Sequence, residues 1–100
     1  MRIIARSTLR QFWENHPRGA EAETALQVWF STVQRADWAA PADVKSTYGD
    51  ASILKDSRVV FNIAGNRFRL VARINYAYWV VYIRFVGTHA EYDDIDAETI

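Results

Sequence analysis

The chain has 100 residues, half of them apolar and four of them tryptophan, enough for one globular domain with a single modest core and too apolar for a disordered segment. It has no cysteine and two histidines, His16 and His89, which excludes disulfides, thiolate metal centres and a clustered structural zinc site. No stretch is apolar for long enough to be a signal peptide or a membrane span, so a cytoplasmic protein is expected. The net charge of zero is a cancellation: residues 45–89 carry seven basic against two acidic side chains, a balance of +5, and residues 90–100 carry five acidic side chains and no basic one.

Arg2-Ile3-Ile4-Ala5 is short and β-like and is expected to add an edge strand. Ser7 is the expected N-cap of a helix whose Leu9, Phe12, Trp13 and His16 fall at helical spacing, with Pro17 and Gly19 breaking it. His16, at a helix end beside a proline, reads as a polar cap or surface residue. A second helix starts near Ala20. Its stripe of Ala22, Ala25, Leu26, Trp29, Phe30 and Val33 is expected to pack on the apolar face of a sheet. Residues 38–56 contain Pro41 and the turn-like pair Gly49-Asp50 and read as a long connection with one helical turn, carrying Lys45, Tyr48 and Lys55.

From Arg58 the pattern changes to three antiparallel strands. Gly65-Asn66 is a two-residue turn signal, because both residues tolerate positive φ. It pairs Ile63 with Phe68, Phe61 with Leu70 and Val59 with Ala72, and on the other face Asn62 with Arg69, Val60 with Val71 and Arg58 with Arg73. A turn around Ala77-Tyr78 then sets Ile74 against Val81, Ala72 against Ile83, Leu70 against Phe85 and Phe68 against Gly87. The two hairpins agree on which face is apolar, and a one-residue slip would bury Arg69 or Arg73 in the core at a large desolvation cost. The opposite face carries Arg58, Asn62, Arg67, Arg69, Arg73, Tyr82, Arg84 and Thr88, and all five of its charges are positive. With His89 and Tyr92 at the rim, such a face suits a phosphodiester backbone. A solvated face neutralised by the acidic tail is the competing reading. The tail DDIDAETI also has two readings: a short amphipathic helix with Ile95 and Ile100 packed on the sheet, or a shield over the basic face.

In this order, PADVKSTY at 41–48, VVFNIAGNRFRLVARINY at 59–76 and VYIRFVGTHAEYDDIDAETI at 81–100 resemble the HigB family of bacterial toxins, in the RelE-like superfamily of mRNA interferases. The resemblance covers nearly the whole chain, as a single domain of residues 1–100. It implies an α+β, RelE-like fold, with a short N-terminal strand and two helices packed on a twisted antiparallel sheet and a short C-terminal acidic helix or tail. It implies a type II toxin that cuts mRNA in the A site of the 70S ribosome, with contacts to 16S rRNA, in the bacterial cytoplasm. It also implies a HigA-type helix-turn-helix antitoxin, through which alone operator DNA would be met, and neither metal nor cofactor. The alternative is a member that has kept the fold and binds RNA, ribosome or antitoxin without cutting.

RNA can be cut by its own 2′-hydroxyl attacking the adjacent phosphorus. That needs a group to accept the 2′ proton, one to protonate the leaving 5′ oxygen, and cations on the non-bridging oxygens. His89 can move a proton near neutral pH, and Tyr92 can stack on a base or donate a proton. Arg67, Arg69 and Arg84 can grip phosphate in a bidentate way. By resemblance, Arg69 is the phosphate stabiliser, and the H-A-E-Y motif stands where other members place an Arg and a Tyr after their last strand. RelE itself has lysines on the strand matching residues 60–62, where this chain has Val60, Phe61 and Asn62, so that role is either absent or moved elsewhere, with Lys55 just upstream and His89 as the candidates. The expected catalytic set is Arg69, His89, Tyr92 and Lys55, and the expected RNA contacts are Arg58, Asn62, Arg67, Arg73 and Arg84.

Overall fold

The computed structural model describes residues 1–100. Its centre is the hairpin of β3 (Arg58–Ile63) and β4 (Phe68–Asn75), in the register that apolar alternation demands, from Arg58 opposite Arg73 to Ile63 opposite Phe68. The positive φ angles of its turn fall on Ala64 (54°) and Gly65 (70°), one residue earlier than the expected Gly65-Asn66. The strand register is unaffected. β5 (Val80–Thr88) pairs antiparallel with β4, β1 (Arg2–Ile4) adds to β5 in parallel, and the two-residue β2 (Ser52–Ile53) adds to β3. The sheet is therefore mixed, in the order β1-β5-β4-β3-β2.

The pairing of β4 with β5 departs from simple alternation. Ile74 meets Val81 and Ala72 meets Ile83, as expected, but a bulge between Val71 and Ala72 leaves Arg84 as the extra residue. Beyond it, Leu70 faces Val86 rather than Phe85, and Phe68 faces Thr88 rather than Gly87. A single inserted residue exchanges the faces of everything after it. Phe85 is thereby moved out of the main core and onto the face of Val60, Val71 and the arginines, while Val86 takes its place.

Helices α1 (Arg6–Asn15) and α2 (Glu23–Gln34), joined by a 3-10 turn at Gly19–Ala22, cover one side of the sheet. Ser7 does not cap α1: the N-cap is Ala5, without a side-chain bond, and Ser7 lies inside the first turn. The core is Leu9, Leu26, Trp29 and Val33 packed against Val59, Phe61, Phe68, Leu70, Ile74 and Val81. The 38–56 connection is more ordered than its composition indicates. It contains α3 (Pro41–Thr47), where Pro41 opens the helix and Asp43 Oδ2 accepts the N–H groups of Ala39 and Ala40 (2.8 and 3.1 Å). Trp38 from this segment stacks on Phe61 at 6.1 Å and donates its indole N–H to Thr47 (3.0 Å), and Tyr48 meets the same Phe61 edge-on at 5.3 Å.

The other side of the sheet is not open across its middle. After the single-turn helix α4 (His89–Tyr92), residues 93–100 fold back on it. Ala97 is buried with Val60 and Val71, and Leu54, Phe85, Tyr92, Ile95 and Ile100 pack around them. The packing reading of the tail thus describes the structure, without a longer helix. Phe85 is the residue the bulge supplies to this second, smaller core.

Gly19 is where the chain crosses closest over α1. A Cβ there would meet the backbone oxygen of Phe12 and lie 2.7 Å from Trp13 Cα, and backbone cannot step aside as a side chain can. Gly19→Ala is expected to destabilise the fold by about 2 kcal/mol or more, by forcing apart the end of α1 and the turn. A urea unfolding midpoint equal to that of the parent chain would contradict this.

Candidate nucleic-acid interface

Arg69 is the buried charge of the sheet, 8 % exposed. Its place is made by its rung: Asn62 stands on one side, and on the other Gly87, which offers no side chain. The space beside Gly87 is filled by Phe85, whose Cζ would lie 2.5 Å from a Cβ at that position. The guanidinium donates from Nη1 to the carbonyls of Asn66 and Phe68 (3.2 Å each) and from Nη2 to Asn66 Oδ1 (2.7 Å), and sits 6.0 Å from the centre of the Tyr92 ring. None of these is a carboxylate. A guanidinium stays charged at any physiological pH, and burying one without a counterion costs several kcal/mol unless an anion arrives to share it.

His89 and Tyr92 come to this end of the sheet on α4. Thr88 caps the helix: its Oγ1 accepts the Glu91 N–H (3.1 Å), while Glu91 Oε1 accepts the Thr88 N–H (2.8 Å). The backbone N–H of His89 donates to the Arg67 carbonyl (3.0 Å). The His89 ring is half exposed. Its Nδ1 lies 3.6 Å from Asp93 Oδ2, beyond a hydrogen bond but within ion-pair reach, and neither ring nitrogen makes a hydrogen bond.

Arg67 lies at the same end but turns toward the helices, with Nη1 on Glu21 Oε1 (3.2 Å). Glu21 also holds Arg18 (3.1 Å), and the Arg18 hydrogen bond, followed in effect by the Arg18 and Arg67 charges, keeps its carboxyl below the ordinary value against the opposing effect of burial. Arg67 thus shares the rim with Arg69 without sharing its face. Asn62 is opposite Arg69 but is tied to Asp50 through Nδ2 (3.2 Å to Oδ2). Lys55 is not brought to Arg69 at all. It precedes the tight turn at Asp56-Ser57 at the other end of β3, and the four steps from Arg58 to Asn62 alone span about 13 Å.

At that far end Arg58, Arg73 and Arg84 line an open cleft of about 650 Å³ with Asp56, Ser57, Glu98 and Thr99. Arg58 and Arg73 are direct cross-strand partners, an arrangement of like charges that costs stability, and the bulge adds Arg84 to them. Arg58 is engaged, donating from Nε and Nη2 to the Ile100 backbone oxygen (3.1 and 2.7 Å) and from Nη1 to that of Asp56 (2.9 Å). Arg73 and Arg84 are exposed and make neither a hydrogen bond nor an ion pair through their side chains. No group of three or more His, Cys, Asp or Glu side chains gathers where it could hold a metal ion, and no helix is long and apolar enough to cross a membrane.

Residue types alone did not point to Asn66, which holds Arg69, or to the support of α4. Glu91 is bound by His16 Nε2 at 3.0 and 3.1 Å to its two oxygens, a contact between residues 75 positions apart. The T-x-x-E spacing of Thr88 and Glu91 was a readable signal of the cap; His16 carried none.

An open, mixed five-stranded sheet with helices packed on one side is consistent with a RelE-like fold. The family model for the HigB toxin, described as the RelE-like toxic component of a toxin–antitoxin system, matches residues 22–95. The chain is 30% identical over 95 residues to the mRNA interferase toxin HigB of Escherichia coli K12, covering 93% of this chain and 88% of that protein. It is equally similar to the mRNA interferase HigB of Shigella flexneri, and 23% identical over 97 residues to that of Escherichia coli O6:H1, covering 95% of this chain and 91% of that protein. The chain belongs to the HigB family of toxins, and an antitoxin partner and an RNA target come with that family.

The cap of α4 has a pH signature. The Glu91 carboxyl is held below its ordinary value first by the Thr88 backbone N–H and then by the His16 hydrogen bond. A depressed carboxyl stabilises the fold above its unfolded-state pKa and loses that contribution as the pH falls through the folded one. Unfolding midpoints measured downward from pH 5 are expected to fall less steeply for Glu91→Gln than for the parent chain; parallel curves would mean Glu91 is not held by this cap.

Proposed function

We propose that this protein is a ribosome-dependent mRNA endoribonuclease that silences translation by cutting mRNA in the ribosomal A site, and that a HigA-type helix-turn-helix antitoxin restrains it and alone meets operator DNA. The observation that carries the reading is Arg69: a buried cation held only by neutral oxygens, with the Tyr92 ring 6.0 Å away. A scissile phosphate is the anion that completes this arrangement. The names of the relatives, mRNA interferases all, support the same chemistry.

The cut needs no metal in this reading. The 2′-oxygen attacks the adjacent phosphorus, a P–O bond forms to it and the bond to the 5′ oxygen breaks, leaving a 2′,3′-cyclic phosphate and a 5′-hydroxyl. The guanidinium of Arg69 meets the charge that grows on the non-bridging oxygens. His89 moves the proton, and Tyr92 stacks on the neighbouring base or donates a proton to the leaving oxygen. Arg73 and Arg84 hold the strand, or the 16S rRNA beside it, about 13 Å further along the same face, since Arg73 is four residues from Arg69 on β4. Arg58 serves chiefly as the anchor of the tail. Lys55 is left out of the proposed centre, and Arg67 and Asn62 serve as supports of the rim.

Toeprinting on translating ribosomes tests the centre. New mRNA 5′ ends inside the A-site codon are expected with the parent protein and not without ribosomes, and Arg69→Ala is expected to lower the cleavage rate by about 10²–10³-fold while remaining folded. Full cleavage by Arg69→Ala would remove it from the centre, and no cleavage by the folded parent protein would leave a binding-only member. The strand-holding arginines are tested separately with a catalytically dead chain: Arg73→Ala and Arg84→Ala should each reduce the slope of log affinity against log salt for single-stranded RNA by about 0.7. Slopes identical to the parent would place the RNA elsewhere.

A further inference from the structure

His16 and Glu91 form the longest-range side-chain hydrogen bond in the molecule, and it joins the end of α1 to the one-turn helix that bears His89 and Tyr92. His16 is fixed on every side. Its ring stacks on Phe12 at 4.6 Å, and Nδ1 accepts the backbone N–H of Arg18 at 3.0 Å. With Nδ1 used as an acceptor, the proton of the neutral ring is on Nε2, which therefore donates to the Glu91 carboxylate. That carboxylate also receives the Thr88 N–H, so a single anion ties α1 to the N-terminus of α4.

α4 has few bonds of its own. A helix of four residues does not persist in water without tertiary support, because the cost of its first turn is never recovered by propagation. Its orientation rests on the Thr88–Glu91 cap, the His89 N–H to the Arg67 carbonyl, Tyr92 in the smaller core, and the His16 bond. The side-chain partners of His16 are Glu91, the Arg18 N–H and the Phe12 ring, not Arg69 or His89.

We infer that His16 is a positioning residue for the cleavage centre: through its Nε2–H on Glu91 it sets the angle of α4, and hence the placement of His89 and Tyr92 against the phosphate held by Arg69. The inference rests on the function proposed above. It assigns a task to a histidine that is otherwise only the polar end of a helix. The requirement is for a donor at the Nε2 position, and glutamine places its amide N–H₂ there, whereas asparagine reproduces only the acceptor at Nδ1.

The test compares His16→Ala, His16→Asn and His16→Gln in a ribosome-bound cleavage assay at saturating and limiting ribosome concentration, with unfolding midpoints measured alongside. Misplacing a proton-transfer group by a fraction of an ångström to 1 Å is expected to lower kcat by about ten- to a hundredfold. His16→Ala and His16→Asn should show that loss with KM within about twofold of the parent, because the strand is held elsewhere, and His16→Gln should recover most of it. Glu91→Ala, which also removes the Thr88 cap, should lower kcat at least as much, and adding His16→Ala to it should cost nothing more. A second readout is independent of turnover: long-range 1H–15N spectra of the parent should show His16 as the Nε2–H tautomer, with a shift on Glu91→Gln. Parent-level kcat in His16→Ala, or a glutamine no better than asparagine, would overturn the inference, as would fully additive losses. Arg69→Ala separates the two levels. If it cleaves normally, the centre itself is wrong; if it is inactive while His16→Ala cuts normally, only the positioning role fails.

Discussion

The bulge between β4 and β5 decides what the second face of this sheet is. An uninterrupted pairing would send Phe85 into the main core and leave a broad basic surface, because Val60 and Val71 would have no large apolar neighbour on that side. With Arg84 bulged out, Phe85 joins Val60 and Val71 and gives residues 95–100 something to pack on. The same step places Gly87 opposite Arg69 and lets the Phe85 ring fill the space beside that glycine. The smaller core thus depends on one extra residue. A bulge at such a place re-aims side chains rather than merely interrupting a ladder.

The covered middle divides the basic face into two unlike ends. At one, Arg69 is desolvated, fixed by three neutral acceptors and flanked by α4, which suits a group that must meet charge in one geometry. At the other, Arg73 and Arg84 are exposed and unpaired, which suits attraction and holding without demanding geometry. A low local dielectric makes the first kind of contact strong and directional. Solvent and salt make the second weak per contact and tolerant of sequence. In the proposed function the two kinds of arginine divide the work on an RNA strand.

Much of this was legible in the chain. The β3–β4 register follows from the alternation of Val59, Phe61 and Ile63 with Arg58 and Asn62, since any slip would bury an arginine in the core. The helical stripe from Ala22 to Val33 is of the same kind. The bulge was not legible, because Ile83, Phe85 and Val86 are apolar enough to satisfy either pairing on their own. Arg67 and Lys55 were grouped with Arg69 by closeness in sequence or by residue type. Glu21 draws Arg67 to the helix side, and the length of β3 separates Lys55 from the rest. α3 was only half visible: Pro41 and Asp43 are good start signals, but seven residues are too few for a clear period. The contact of His16 with Glu91 depends on the tertiary fold alone.

The brevity of α4 has a further consequence. A protein opens locally at different free energies in different places, and the cheapest openings fall where few bonds hold the backbone. The sheet carrying Arg69 is closed by the main core on one side and the smaller core on the other, while His89 rides on a single turn held by a handful of contacts at the rim. The two halves of the proposed centre therefore differ in durability. The anion-holding half endures as long as the fold does, and the proton-moving half can come undone by itself, leaving a folded protein that still grips RNA and no longer cuts it.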